Sequence, residues 1–270
     1  MNRKRIGLLT IFPEAEYQQR ILPGILSQAE KYDYDVVVFT PLVQICNINK
    51  RYVHGELNIF ELINFSLFDG FIITPVPMTE ERNFHLYDLL LKKFESECKQ
   101  PVVSIDMEFG NYPVVYTDEE NPFFAITEHL ILKHKCKNIS VLAGPEGFVQ
   151  NKNRIKGIKK ALKKHELELK PEQIYFGNFW YDSGEQLAQR YVTGELSLPD
   201  AVICLSDHMA IGLTNCLLKN GIKVPEQVIV TGYEAVQEAS LNNPPITSYL
   251  GAQEYTGKHA VNVLHQLINP

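Results

Sequence analysis

The stretch PDAVICLSDHMAIGLTNCLLKNGIKVPEQVIVTGY, residues 199–233, decides the fold. AVICL from Ala201 reads as a strand, about His208–Asn220 as a helix, and VIVTGY from Val228 as a second strand. Strand, helix and strand in that order form the repeating unit of a parallel α/β sheet with right-handed crossovers.

The same rhythm runs outward in both directions. Near the start, IGLLT from Ile6 fits a strand, and Tyr17 to Lys31 is helical, with Ile21, Leu22, Ile25, Leu26 and Ala29 on one face. VVVF from Val36 is apolar on both faces, as in a strand covered on both sides. A weaker helix is read near Leu57–Phe65, a strand in DGFIITP from Asp69, a helix over roughly Phe84–Glu97, and a strand in PVVSID from Pro101. The rhythm breaks over Phe109–Pro113, where Gly110, Asn111 and Pro113 make a turn, followed by a short strand at Val114–Tyr116. It restarts with a helix from Asn121 to about Lys133, ISVLAG from Ile139, a basic helix from Lys152 to His165, IYF, and a helix after Ser183. The expectation is an α/β chain of two doubly wound parallel-sheet lobes. A last helix carries Ala260, Val261, Val263, Leu264 and Leu267; its pattern alone fits either a third lobe element or a return to the first lobe.

Composition narrows the function classes. The 270 residues hold 26 Lys+Arg against 32 Asp+Glu, a net charge of -6, which disfavours a nucleic-acid surface on this chain. No apolar run approaches the ~20 residues of a membrane span, and MNRKRIGLLTIFPEAE lacks the cleavage site of a secretory signal. Five scattered cysteines (Cys46, Cys98, Cys136, Cys204, Cys216) without CxxC spacing indicate reduced thiols and a cytoplasmic protein. Cys204 and Cys216 read as buried apolar residues.

Ligands of open α/β sheets sit at the carboxyl ends of strands, which draws attention to the loops holding Tyr17, Thr74, Asp106, Phe148, Arg154, Ser206 and Glu234. There is no GxSxG elbow, no Walker A loop and no GxGxxG fingerprint. Gly144-Pro145 and Gly147 are either an anion loop or, more plainly, a strand-to-helix turn. His129 and His134, five apart, are badly spaced for a metal even with Cys136 near, and the string Ser206-Asp207-His208 is not a triad. No metal, cofactor or catalytic residue is expected. Arg154 offers a planar fork for hydroxyls or a carboxylate, Asp106 an acceptor, and Tyr17, Phe148, Phe179 and Trp180 aromatic faces for sugars or purines. Each has its plainer alternative: a surface cation, a turn cap, core aromatics.

Five segments in order carry a family likeness: FDGFIITP at Phe68, PVVSID at Pro101, VLAGPEGFVQNKNRIKGIKKAL from Val141, PDAVICLSDHMAIGLTNCLLKNGIKVPEQVIVTGYEAV from Pro199 and PPITSYLGAQEYTGKHAVNVL from Pro244. The chain resembles, over nearly its whole length, the effector-binding core of the LacI/GalR transcriptional regulators, which has the type I periplasmic-binding-protein-like fold. The resemblance implies two lobes joined by a hinge, 1–112 plus 250–270 and 113–249, with crossings near Tyr116 and Tyr249 and the ligand cleft between the lobes. It implies that Arg154, three residues before Gly157, clamps ligand. Asp106 ends its strand as the family's carboxylate does. Phe179, four residues before Ser183-Gly184, matches the stacking aromatic, Tyr17 the first-loop aromatic and Tyr116 a hinge-proximal one. Thr74 and Phe148 complete the expected set. Ser206 and Glu234 stand where the family usually has Asn and Asp, so specificity should differ from the best-known sugar repressors.

The resemblance further implies a small-molecule effector, a sugar or sugar derivative with a purine as second choice, and a homodimer. It implies DNA contact only through a helix-turn-helix ahead of Ile6 and outside this chain, and no membrane contact. The alternatives are the same sensor core on a different signalling output, a transporter's solute-binding protein, or an enzyme of doubly wound fold.

Overall fold

Residues 3–14, 16–41, 55, 57–79 and 86–270 are described in this computed structural model. Cys46 and the start of the helix expected from Phe84 lie outside the described residues. The chain separates into two compact units, Met1–Thr117 with Ala252–Pro270, and Asp118–Gly251.

The first unit holds β1 (Lys4–Leu9), α1 (Glu16–Lys31), β2 (Tyr34–Phe39), β3 (Gly70–Ile73), α2 (Leu86–Glu97), β4 (Val102–Ile105) and β5 (Val114–Val115). The second holds α3 (Glu120–His134), β6 (Ile139–Ala143), α4 (Val149–Lys164), β7 (Ile174–Phe176), α5 (Tyr181–Val192), β8 (Ala201–Cys204), α6 (Asp207–Lys219), β9 (Ile229–Tyr233), α7 (Gln237–Leu241) and β10 (Thr247–Tyr249). The last helix, α8 (Gln253–Ile268), belongs to the first unit.

The first sheet runs β2-β1-β3-β4-β5 and the second β10-β9-β8-β6-β7, and every pairing is parallel. Counted from its own first strand, each sheet has the same doubly wound order, with β1 beside β3 and β6 beside β8 at the point where the order reverses. The two α/β units of parallel sheet expected from the strand–helix rhythm are therefore present.

Alternation along the strands builds the core. Ile6, Leu8, Ile72, Val103 and Ile105 point to one face of the first sheet with Ile21 and Ile25 of α1 and Ala260, Val261 and Leu264 of α8. Leu9, Phe71, Ile73 and Val102 point to the other, with Phe94 of α2. Side chains on both faces explain why these strands read as unbroken apolar runs. A Cβ on Gly24 would come within 2.0 Å of the Glu254 carbonyl oxygen, and one on Gly257 within 2.4 Å of that of Ile21. These two glycines let α1 and α8 touch backbone to backbone, which resolves the open placement of the last helix.

One local reading changes. The weak helix at Leu57–Phe65 is instead two 3₁₀ turns, Asn58–Leu62 and Phe65–Leu67. Asn64 stands between them and its side chain accepts from the Ser66 N–H at 3.2 Å, which starts a new turn instead of continuing the first. The Phe109–Pro113 turn is anchored from inside: Phe109 is fully buried, edge-on to Phe94 and Tyr87. Sequence patterning also passed over α7 and β10, both too short to show a period. Among the described residues, Cys98, Cys136, Cys204 and Cys216 are free thiols, and no helix is long and apolar enough to cross a membrane.

Candidate functional site

Left-handed backbone at residues other than glycine marks the strand ends. Asp33, Lys135 and Glu166 have positive φ just past helices, where that conformation closes the last turn. The other five are Phe12 (53°), Asp106 (60°), Phe179 (70°), Glu234 (101°) and Ala235 (50°), and each lies within three residues of the end of β1, β4, β7 or β9. Such backbone is costly for L residues and gathers at ligand-binding positions.

In the first unit, Asp106 organises one group. Its Oδ2 accepts from the Tyr17 hydroxyl and, at 2.8 Å, from the Thr117 hydroxyl, while Oδ1 accepts from the Thr117 N–H at 2.5 Å. Tyr17 and Asp106 are half-buried. The next residue on α1, Gln18, donates from Nε2 to the Thr74 hydroxyl at 3.1 Å, and Thr74 donates to the Thr10 hydroxyl at 2.9 Å. Thr10 and Thr74 follow β1 and β3, so this polar pair lies where the sheet order reverses.

In the second unit, Arg154 is the hub. It is only 6% exposed. Nε and Nη2 donate to Glu119 Oε1 at 3.0 and 2.5 Å, and Nη1 donates to the Leu205 carbonyl at 2.7 Å, at the end of β8. Its guanidinium carbon lies 4.8 Å from the ring centre of Tyr233, 5.6 Å from Phe179 and 5.8 Å from Phe123. Burial pushes its pKa down, but the charges of Glu119 and Glu234 outweigh burial and the guanidinium pKa ends up raised. Three of its five N–H donors are thus committed within the protein.

Around this hub, Phe148 meets Phe179 edge-on at 5.7 Å. Ser206 caps α6, accepting from the Met209 N–H at 3.3 Å, and donates to the Phe179 carbonyl at 2.8 Å. Gly144 leaves the space that the Phe179 ring fills: a Cβ there would fall 1.9 Å from Phe179 Cζ. Asn151 ties the Gly144 loop down, accepting from the Gly144 N–H at 3.1 Å and donating to the Pro145 carbonyl at 2.7 Å. The Gly144–Gly147 segment is in this way a held strand-to-helix turn. Fully buried Asp207 accepts from the Val236 N–H at 2.8 Å and fixes the loop that carries Glu234.

The structure therefore joins Tyr17 with Asp106, and Phe148, Arg154, Phe179 and Ser206 around one buried charge with Glu234 beside them. Thr74 reaches the first group only through Gln18. Tyr116 is 54% exposed and makes no hydrogen bond or ring contact among the described residues. Sequence reading missed Glu119, Asn151 and Thr117, and met Asp207 only as part of the Ser206-Asp207-His208 string. Of the three missed, only Glu119 left a trace, as one of three consecutive acids at residues 118–120. Among the described residues no group of three or more His, Cys, Asp or Glu side chains is placed to hold a metal ion.

The chain is thus built of two parallel α/β units, each with polar and aromatic side chains gathered at its strand ends. The chain belongs to the periplasmic binding protein-like domain family, whose model matches residues 127–270. It is similar to the HTH-type transcriptional repressor PurR of Haemophilus influenzae, 25% identical over 268 residues that cover 98% of this chain and 74% of the repressor. Its fold is similar to that of the lac repressor dimer bound to operator and the anti-inducer ONPF (TM-score 0.69, 22% identity, 99% of this chain and 87% of that one). It is equally similar to the transcriptional regulator CelR in its cellobiose complex (TM-score 0.70, 21% identity, 99% and 79%). In sequence and fold the chain thus resembles the corresponding part of LacI-type transcriptional regulators.

Proposed function

We propose that this chain senses a sugar or sugar derivative on behalf of a transcriptional regulator. The residues that bind it in this reading are Tyr17 and Asp106 of the first unit and Arg154, Phe179 and Glu234 of the second. Carboxylates and the two uncommitted guanidinium N–H groups hold ligand hydroxyls, and the aromatic rings take the C–H faces of the ring. The observation that carries this reading is the meeting of Arg154 of α4 with Phe179 and Ser206 of two different strand-end loops, at the carboxyl ends of the strands of the second sheet. The cellobiose complex of CelR supports a saccharide as the chemical class.

Ligand shifts the arrangement of the two units only by its differential affinity for the two states, and that shift alters the DNA affinity of a helix-turn-helix segment outside these residues. The dimer and operator of the lac repressor structure support a homodimer acting on DNA. The setting is cytoplasmic and no reaction is catalysed. A thermal-shift panel of sugars, sugar phosphates and nucleosides tests the reading. A matching ligand at a hundredfold excess over Kd stabilises the fold by about 2.7 kcal/mol. A purine nucleoside as the sole hit transfers the site to that class, and turnover of a panel member without any shift refutes the sensor.

A further inference from the structure

A groove of about 840 Å³ lies within the second unit between α4 and β7, and adjoins the effector site through Phe148 and Asn151. A stripe of α4 carrying Lys152, Ile155, Lys159 and Lys163 forms much of its wall, the Lys156, Lys160 and Glu120 cluster lines it as well, and its floor includes Ile174 and Phe176 of β7. The neighbouring lysines on α4 have partners on α3: Lys156 and Lys160 pair with Glu120 at 2.6 and 2.8 Å, and Lys164 pairs with Glu128 at 2.8 Å. Among the described residues no carboxylate pairs with Lys152, Lys159 or Lys163. Phe176 is 47% exposed although it sits in a strand, and β7 is the edge of its sheet.

We propose that this groove docks an acidic amphipathic helix of a partner protein. Charge complementarity selects the partner: three unpaired cations stand over an apolar floor, on a chain whose net charge is -6. From Lys152 to Lys163 the stripe extends roughly 16 Å along the helix axis, the length of about three turns of a docked helix. Apolar residues at i, i+3 and i+7 of the partner would meet Ile155, Ile174 and Phe176, and its flanking Glu or Asp would meet the lysines.

The test is fluorescence anisotropy with the whole chain and a labelled twelve-residue peptide carrying Leu at i, i+3 and i+7 and Glu elsewhere. Binding should weaken about tenfold in K152E/K159E/K163E and again on raising salt. Phe176→Ser should weaken it by a similar factor through loss of the apolar anchor. The same peptide with Lys for Glu, or with Ser for Leu, should not bind. All four side chains changed are on the surface, and an unchanged melting temperature verifies the fold of each variant. The proposal is overturned if the acidic peptide fails to bind, if the triple variant binds it equally well, or if phosphatidylglycerol vesicles bind while the peptide does not.

Discussion

Arg154→Ala is the most informative single change. As a ligand clamp alone, Arg154 could be truncated without harm to the fold. The geometry demands otherwise. Arg154 and Glu119 have side chains only 8% and 12% exposed and share contacts of 2.5 and 3.0 Å. Truncation leaves the Glu119 carboxylate poorly solvated opposite an empty space, frees the Leu205 carbonyl and removes the cation that three rings surround. Breaking such a buried pair from one side costs about 3–5 kcal/mol, whereas replacing both partners by apolar groups of similar size is close to neutral. For a unit the size of Asp118–Gly251 the single change should lower Tm by roughly 10–20 °C. The double variant Arg154→Met/Glu119→Leu should recover most of that loss while still failing to bind effector. Urea titration followed by circular dichroism measures both. A loss under about 1 kcal/mol in Arg154→Ala, or a double variant as unstable as the single one, refutes the assignment of a buried structural charge pair.

Three further outcomes are expected. Gly144→Ala drives a Cβ into the Phe179 ring; it should cost about 1–3 kcal/mol by overpacking and, by displacing the ring, weaken effector binding in calorimetry more than it lowers stability. Hydrogen bonds from Lys156 and Lys160 hold the Glu120 carboxyl at about 2, below the usual 4.5. Its folded-state pKa is depressed, so its contribution to stability is complete above about 4.5 and is lost as pH falls towards 2. Lys156→Met/Lys160→Met should return the carboxyl to the ordinary range in an NMR titration and flatten the acid limb between those values. Burial pushes the Cys98 thiol up to about 11, so at pH 8 only about 0.1% is thiolate. Iodoacetamide should modify it about a hundredfold more slowly in the folded chain than in urea, and equal rates would contradict its burial.

What the sequence revealed and what it hid follow one physical line. Strands covered on both faces must be apolar throughout, so β1, β3, β6 and β8 were legible as runs. Amphipathic α1 and α8 were legible as periods, although the packing of α8 against α1 through Gly24 and Gly257 was not. Asp106, Arg154 and Phe179 were singled out because strand-end position and family likeness agreed on them. Glu119 was not, because its partner lies 35 residues away and nothing local marks a carboxylate that faces inward. The same holds for Asn151 and Asp207, whose work is to satisfy backbone groups of loops brought near by the fold. Phe179 and Glu234 adopt positive φ that no residue type there announces. Leu57–Phe65 was misread because Leu57, Phe60 and Ile63, three apart, mimic the apolar face of a helix, while Asn64 interrupts it.

The central proposal is that Tyr17 and Phe179 each bind the effector. Isothermal calorimetry with the best saccharide from the thermal-shift panel tests it most directly, comparing the unaltered chain with Tyr17→Ala from the first unit and Phe179→Ala from the second. The account requires one site per chain and a rise in Kd of about tenfold or more in each variant, since each loses an aromatic face against the ligand. Saccharide binding left unchanged by either substitution, with that variant still folded, would contradict it.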